Sequence, residues 1–460
     1  MGGKGAVFLV LGFSIIFLVV ANNFNSLSSN SIENMTTYFI ETTAYNIAVS
    51  GANMASNEIF INKRWDAGYQ DTSFLGGKLN VYISNPLYGS GKVTICHVTH
   101  AVQDLYSTLN VLPGTVADHL SHGDHVGACA GDTLDPEMIT IISEGTFQGV
   151  TKVVIVNLRP SYFSKFGNFY SNISAQPATG DTFNGPFHTQ GTLSTYGTPV
   201  FWGKATALNG VSKGGSPKDP KFYGGFESGV DIPLEFDTSG MRKNASKLFY
   251  DTTKTGKKSD VRLYFNSNGT VTWQWKLGSG AWTASRTQPL STLAPNGLIY
   301  VEKGNIYTKG TVNGAVTIVT TKKGASGCGN VYQEDDIVYN DNPKTNPASL
   351  DVLGIVAEEN IRIVYNNDTK HADIRTQASM FSLNGNIGPD DALVDNDDYL
   401  KRWLILGGLI AKTTRVTAHY SGSNPYEGYQ FVHSYDDRFM TYVPPYFPHT
   451  KNFEVVSWYE

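Results

Sequence analysis

The stretch Ala6-Val-Phe-Leu-Val-Leu-Gly-Phe-Ser-Ile-Ile-Phe-Leu-Val-Val-Ala21 decides how the rest of the chain is read. It follows the short leader Met1-Gly-Gly-Lys-Gly5 and carries no charge. Beyond it the chain turns polar without a helix breaker, since no proline precedes Pro86. At 1.5 Å rise per residue, a helix from Ala6 to Ile61 would be a rod of roughly 80 Å, against a hydrocarbon layer of ~30 Å. The pattern predicts a helix that starts in a membrane and continues into water. Ile32, Met35, Phe39, Ile40, Ala44, Ile47, Gly51, Met54, Ala55 and Ile59 recur at three- to four-residue steps, a stripe that requires a packing partner. A secretory signal peptide would need a small-x-small cleavage site, for which Ala21-Asn22-Asn23 is a poor match. An uncleaved signal anchor satisfies the hydropathy equally well.

The Lys4-Gly5 pair, followed at once by the apolar run and an amphipathic helix, resembles the class III leader and long first helix of type IV pilin-like proteins. Ile32-Glu-Asn-Met35, Ala44-Tyr-Asn-Ile-Ala48 and Gly51-Ala-Asn-Met-Ala55 are similar to the helix of the minor-pilin branch. The resemblance implies peptidase cleavage between Gly5 and Ala6, N-methylation of the new terminus, and assembly with copies of itself or other pilins. It also implies an inner-membrane location before assembly and an extracellular filament after it. Most major pilins carry a glutamate at the fifth mature position, where this chain has Val10.

With 460 residues the chain can bury a large core in more than one domain. Charged residues make up 16%, while 47 glycines, 25 tyrosines and 24 phenylalanines favour strands, turns and an extracellular setting. A net charge of −5 without a basic run gives no sign of a nucleic-acid partner. Strand-like runs at Lys78–Ser84, Lys92–Cys96, Met138–Ser143 and Thr151–Asn157 make residues 64–179 a β region.

From Gly180 the pattern changes. Gly185, Gly191, Gly197 and Gly203 fall six residues apart, and Gly297-Leu-Ile-Tyr-Val-Glu-Lys-Gly-Asn305-Ile306 is echoed by Gly354-Ile-Val-Ala-Glu-Glu-Asn360-Ile361. Short strands with weak self-similarity favour stacked rungs of a parallel β-solenoid over 180–460, with an antiparallel sandwich as the alternative. Residues 205–290 read as an inserted β excursion, with a hairpin signalled by Asn268-Gly269. This half, with Ala378-Ser-Met-Phe-Ser-Leu-Asn-Gly385, resembles the solenoid-like region of large pilin-related surface proteins. The predicted fold class is therefore mainly β with one long N-terminal helix: leader 1–5, helix 6–63, β region 64–179 and solenoid-like domain 180–460.

The candidate for chemistry is the loop from Cys96 to Cys129, which holds His97, His100, His119, His122 and His125, five of the ten histidines, together with Asp124. Three cysteines allow one disulfide, expected as Cys96–Cys129 with Cys328 left over, and closing such a loop stabilises by about 3 to 4 kcal/mol in the chain-entropy model. Imidazoles and a carboxylate at this density suit a divalent metal ion, with His97, His119, His122 and Asp124 as ligands. The alternative is a disulfide-closed loop whose histidines make hydrogen bonds. No phosphate-cradling glycine loop, Gly-x-Ser-x-Gly elbow or His-Glu-x-x-His helix occurs; the pilin resemblance implies a structural subunit, helix in the filament core and β body on the surface, and no enzyme is expected. The competing functions are a membrane-anchored surface adhesin and a solenoid enzyme acting on polysaccharide.

Overall fold

A computed structural model describes residues 3–85, 93–98, 106–121, 123–127, 129, 138–236, 238–395, 399–421 and 424–459. The chain is mainly β with one long N-terminal helix, and it divides into two compact units: residues 1–160 with 452–460, and residues 161–451.

In the first unit, helix α1 (Gly3–Ile61) runs unbroken. Its second half packs on an antiparallel sheet in which β1 (Tyr69–Phe74), β2 (Gly77–Ser84), β6 (Ile139–Phe147) and β7 (Val150–Tyr162) are neighbours in that order. The C-terminal strand His449–Tyr459 adds to the β7 edge, and Asn157 donates a hydrogen bond to the Ser457 hydroxyl at 2.9 Å. Both faces of β2, β6 and β7 are apolar because both are covered. Leu79, Val81, Ile141, Val154 and Val156 meet Ile47, Ala48, Ala52, Ala55 and Ile59 of α1. Tyr82, Ile142, Val153 and Ile155 face the other way, against Ile95, Leu109 and Val111. Successive residues of a strand point to opposite faces, so two covered faces give a continuous apolar run. Those last three residues belong to a smaller sheet of β3 (Val93–Val98), β4 (Tyr106–Val111) and β5 (His125–Val126), joined by the short helix α2 (Val116–Ser121).

The helix lies unusually close to its sheet. A Cβ added to Gly145 of β6 would sit 2.2 Å from the Ala44 carbonyl oxygen and 2.5 Å from the Ala48 nitrogen. The small residues Ala44, Ala48, Gly51, Ala52 and Ala55 supply the matching surface on α1. Among the described residues, the other half of the predicted stripe has no such close partner within the unit. Ile32 and Met35 are exposed, and Phe39 touches only the edge of Phe147, with ring centroids 5.9 Å apart.

In the second unit, strands two apart in sequence pair in parallel. One ladder runs Leu298–Val301, Ala315–Thr320, Val352–Ala357, Ile374–Ser382 and Leu400–Thr413. The other runs Ser259–Phe265, Ile306–Val312, Val331–Tyr339, Ile361–Ile363 and Ile387–Pro389. This is stacking of rungs, not antiparallel pairing of sandwich strands. The echo between Asn305-Ile306 and Asn360-Ile361 has a physical basis in it. Ile306, Val331, Ile361 and Ile387 stand in register in the core, and each follows an asparagine. The Asn330 side-chain amide donates to Asn305 Oδ1 at 3.1 Å, and that of Asn360 to Asn330 Oδ1 at 3.2 Å. An asparagine ladder thus satisfies polar groups at the corner of successive rungs.

The domain limits differ from the sequence expectation in two places. Asn168–Asn172 pairs in parallel with Phe187–Thr189 and with Leu409–Thr413, so the second unit begins before Gly180, where the glycine spacing first becomes visible. Residues 205–290 are not an excursion throughout. Ala205–Ala207 and Phe226–Ser228 continue the parallel stack from Phe187–Thr189, and Phe183, Phe201 and Phe222 stack ring on ring at 5.0 Å spacing. The turn-rich Gly210–Pro220 is not the start of an insertion either, since Val211–Gly214 within it pairs in parallel with Leu193–Tyr196. Within this stretch Ser259–Phe265 and Thr270–Leu277 pair antiparallel around the Asn268-Gly269 turn, with Gly269 at φ +76°, and Arg286–Pro289 adds antiparallel to Thr270–Trp273.

Candidate functional site

The loop that drew attention in the sequence folds over the face of the main sheet away from α1. Strand β3 carries Cys96 and His97, and β5 pairs with it so that Cys96 lies opposite His125. Between α2 and β5 the chain reverses at Gly123, whose φ of +99° suits glycine, and Asp124 N–H donates to the His119 carbonyl at 3.3 Å. Cys96 and Cys129 form a disulfide, while Cys328 is free and buried in the other unit.

The folding brings three of the four expected ligand residues together. His97 Nδ1 and His119 Nδ1 each lie 2.7 Å from the same oxygen of Asp124, Oδ2. The second oxygen, Oδ1, accepts the Val98 N–H at 2.8 Å. All three side chains are buried. His122 lies outside the described residues, as does His100, and His125 is exposed. The sequence did not single out Tyr82 or Glu144. The Tyr82 ring packs against both imidazoles, with centroids 4.5 and 5.1 Å away, and Glu144 Oε1 stands 3.8 Å from His97 Nε2. Both come from strands distant in sequence. The only local signal was that Tyr82 points away from the helix-facing Val81 and Ile83.

Burial works against a charged His97, but its hydrogen bond to Asp124 and the negative charge of Asp124 and Glu144 outweigh it and push its pKa up to about 9. Burial likewise opposes ionisation of Asp124, yet the bonds from His119, His97 and the Val98 amide hold it well below the usual carboxylate range. Burial and the nearby carboxylates of Glu144, Asp124 and Asp118 keep the Tyr82 hydroxyl protonated.

The separations bear on the metal expectation. Three ligand atoms sharing an ion at 2.0–2.1 Å in tetrahedral geometry would stand about 3.3 Å from one another. Here both nitrogens are 2.7 Å from the carboxylate oxygen, the length of a charge-assisted hydrogen bond. As hydrogen bonds these contacts tie β3, α2 and the turn before β5 together, and the same three side chains are also grouped as metal ligands would be, with a ligand atom of each within 4.8 Å of the others.

The second candidate region is the exposed part of α1. Val7 through Val20 present their side chains to the surroundings on every side of the helix, with Phe8 at 75% and Phe17 at 71% exposed. This segment is long and apolar enough to cross a membrane. Gly5 and Ala6, the expected processing pair, lie within the helix.

No known protein family matches the chain, and no curated protein sequence does either. Among solved structures, the competence-associated pilin ComZ from Thermus thermophilus is similar at 11% sequence identity, covering 91% of this chain and 97% of that one, with a TM-score of 0.27. Agreement this loose leaves the fold to be read from the helix and strands themselves.

Proposed function

We propose that this chain is a structural subunit of a type IV pilus-like extracellular filament, with the first half of α1 in the filament core and the β units displayed outward. One observation carries the reading: a single unbroken helix is naked and apolar over Val7–Val20 and docked on its own sheet from Ala44 onward. Monomers in water do not leave such a surface uncovered. A membrane covers it before assembly, and the same segment of neighbouring subunits covers it afterwards. The His97–Asp124–His119 cluster and the Cys96–Cys129 bridge then serve as locks in a body exposed to an oxidising exterior. No catalytic step is assigned.

The Lys4-Gly5-Ala6 sequence is the expected processing site. Mass spectrometry of sheared surface material should find a chain beginning at Ala6 with a methylated amino group. A chain retaining Met1 in that material would favour the plain membrane anchor.

A further inference from the structure

The second unit contains a cavity that the filament reading leaves unused. It holds about 260 Å³ and lies between the turn 175–179 and the segment 414–420. Its inner wall is aromatic: Phe183, Phe187, Trp403 and Phe431, arranged edge to face with centroids 5.2 Å apart for the first pair and 6.0 Å for the second. The two rims are tied to each other, because the Thr414 hydroxyl accepts the N–H groups of Ser174 and Ala175 at 2.9 and 2.7 Å. A pocket with fixed rims requires little reorganisation on binding.

Two charged side chains line it, and they are not equivalent. Arg415 is already committed, donating to the Pro389 carbonyl at 2.8 Å and pairing with Asp391. Asp181 accepts the Ala178 N–H at 2.7 Å and makes no ion pair among the described residues. Burial raises its pKa, with the Ala178 hydrogen bond only partly opposing this. A carboxylate beside aromatic faces, short of a counter-charge, is complementary to a cation that carries its own apolar body.

We propose that this cavity binds a small organic cation, a primary ammonium on a compact aromatic or aliphatic group, with Asp181 receiving the ammonium and the aromatic wall the apolar part.

The test is calorimetric titration of the full-length chain in nonionic detergent with phenethylammonium, compared with the neutral 2-phenylethanol and the anionic phenylacetate. Expected are saturable binding of the ammonium, preference for it over the alcohol by about tenfold or more, and loss of that preference in Asp181→Asn, from the usual strength of a hydrogen bond to a charged group. The asparagine oxygen can still accept the Ala178 N–H. Equal binding of ammonium and alcohol, tightest binding of phenylacetate, or an unchanged preference in a folded Asp181→Asn would each overturn the proposal. Should that variant not fold, Val416→Trp decides. Val416 lines the cavity and is 52% exposed, so a larger side chain there obstructs the site without touching the carboxylate. Ammonium binding that survives Val416→Trp undiminished would place the ligand elsewhere.

Discussion

At the residue scale, Asp124 is the side chain on which the disulfide-closed loop converges, since three donors from β3 and α2 end on it. Removing one partner from a buried charged network leaves the other uncompensated, so His97→Ala should cost about 3 kcal/mol of stability. The pH dependence follows from the two shifts. The folded pKa of His97, about 9, lies above its ordinary 6.5, so its contribution is fully present below 6.5 and fades as pH rises through about 9. Asp124 is shifted the other way, so its contribution is present above 3.8 and is lost as pH falls below that toward its depressed folded value. Urea unfolding of wild type and His97→Ala should therefore differ most between pH 3.8 and 6.5 and converge on the alkaline side. A gap that stays constant to pH 10 would contradict the charged His97. Elemental analysis of protein prepared without chelators bears on the same residues: the hydrogen-bonded account expects no stoichiometric divalent ion, and an ion released by His119→Ala would restore the metal reading. The cysteine pair and the residues His97, His119 and Asp124 were legible because they crowd into one short stretch. What they do to one another was not, because the geometry depends on the Gly123 reversal, and on Tyr82 and Glu144 from other strands.

At the element scale, α1 was legible almost end to end from its apolar run, its missing prolines and its three-to-four periodicity. The sequence did not show where the stripe stops being covered, because Ile32 and Ile59 look alike in it and differ only in what lies opposite. The close approach at Gly145 marks the covered part. Gly145→Ala would push a methyl group into the backbone of Ala44 and Ala48, neither of which can yield by a side-chain rotation. Overpacking of this kind costs about 1–3 kcal/mol. Hydrogen exchange in detergent should show faster exchange over residues 44–59 in this variant, with the second unit unchanged; unaltered protection there would mean that the helix is held by something other than this contact. The parallel pairing of strands in the second unit was legible through its Asn-Ile echo. The rungs at 205–228 were not, because their short strands are separated by corners so rich in glycine, serine and proline that they read as an insertion.

At the scale of the whole molecule, the first half of α1 is apolar on all sides and exposed. An apolar segment of this length holds a subunit in a bilayer until burial against other subunits becomes available. On the proposed filament reading, Val10 leaves no carboxylate for a neighbouring amino terminus to pair with, and packing of Phe13, Ile16 and their neighbours would set the register between subunits. On that reading a charge placed there should disrupt assembly and leave the folding of the β units unchanged, because Phe13 and Ile16 are 55% and 58% exposed and lie far along α1 from the docked residues. The direct measurement is the amount of this chain in sheared surface filaments, by electron microscopy with labelled antibody, for wild type and Phe13→Asp. Labelled filaments are expected for wild type and none for Phe13→Asp, with the variant's Cys96–Cys129 bridge still formed. Labelled filaments of normal abundance in the variant, or a wild-type protein spread evenly through the membrane with no filament at all, would contradict it.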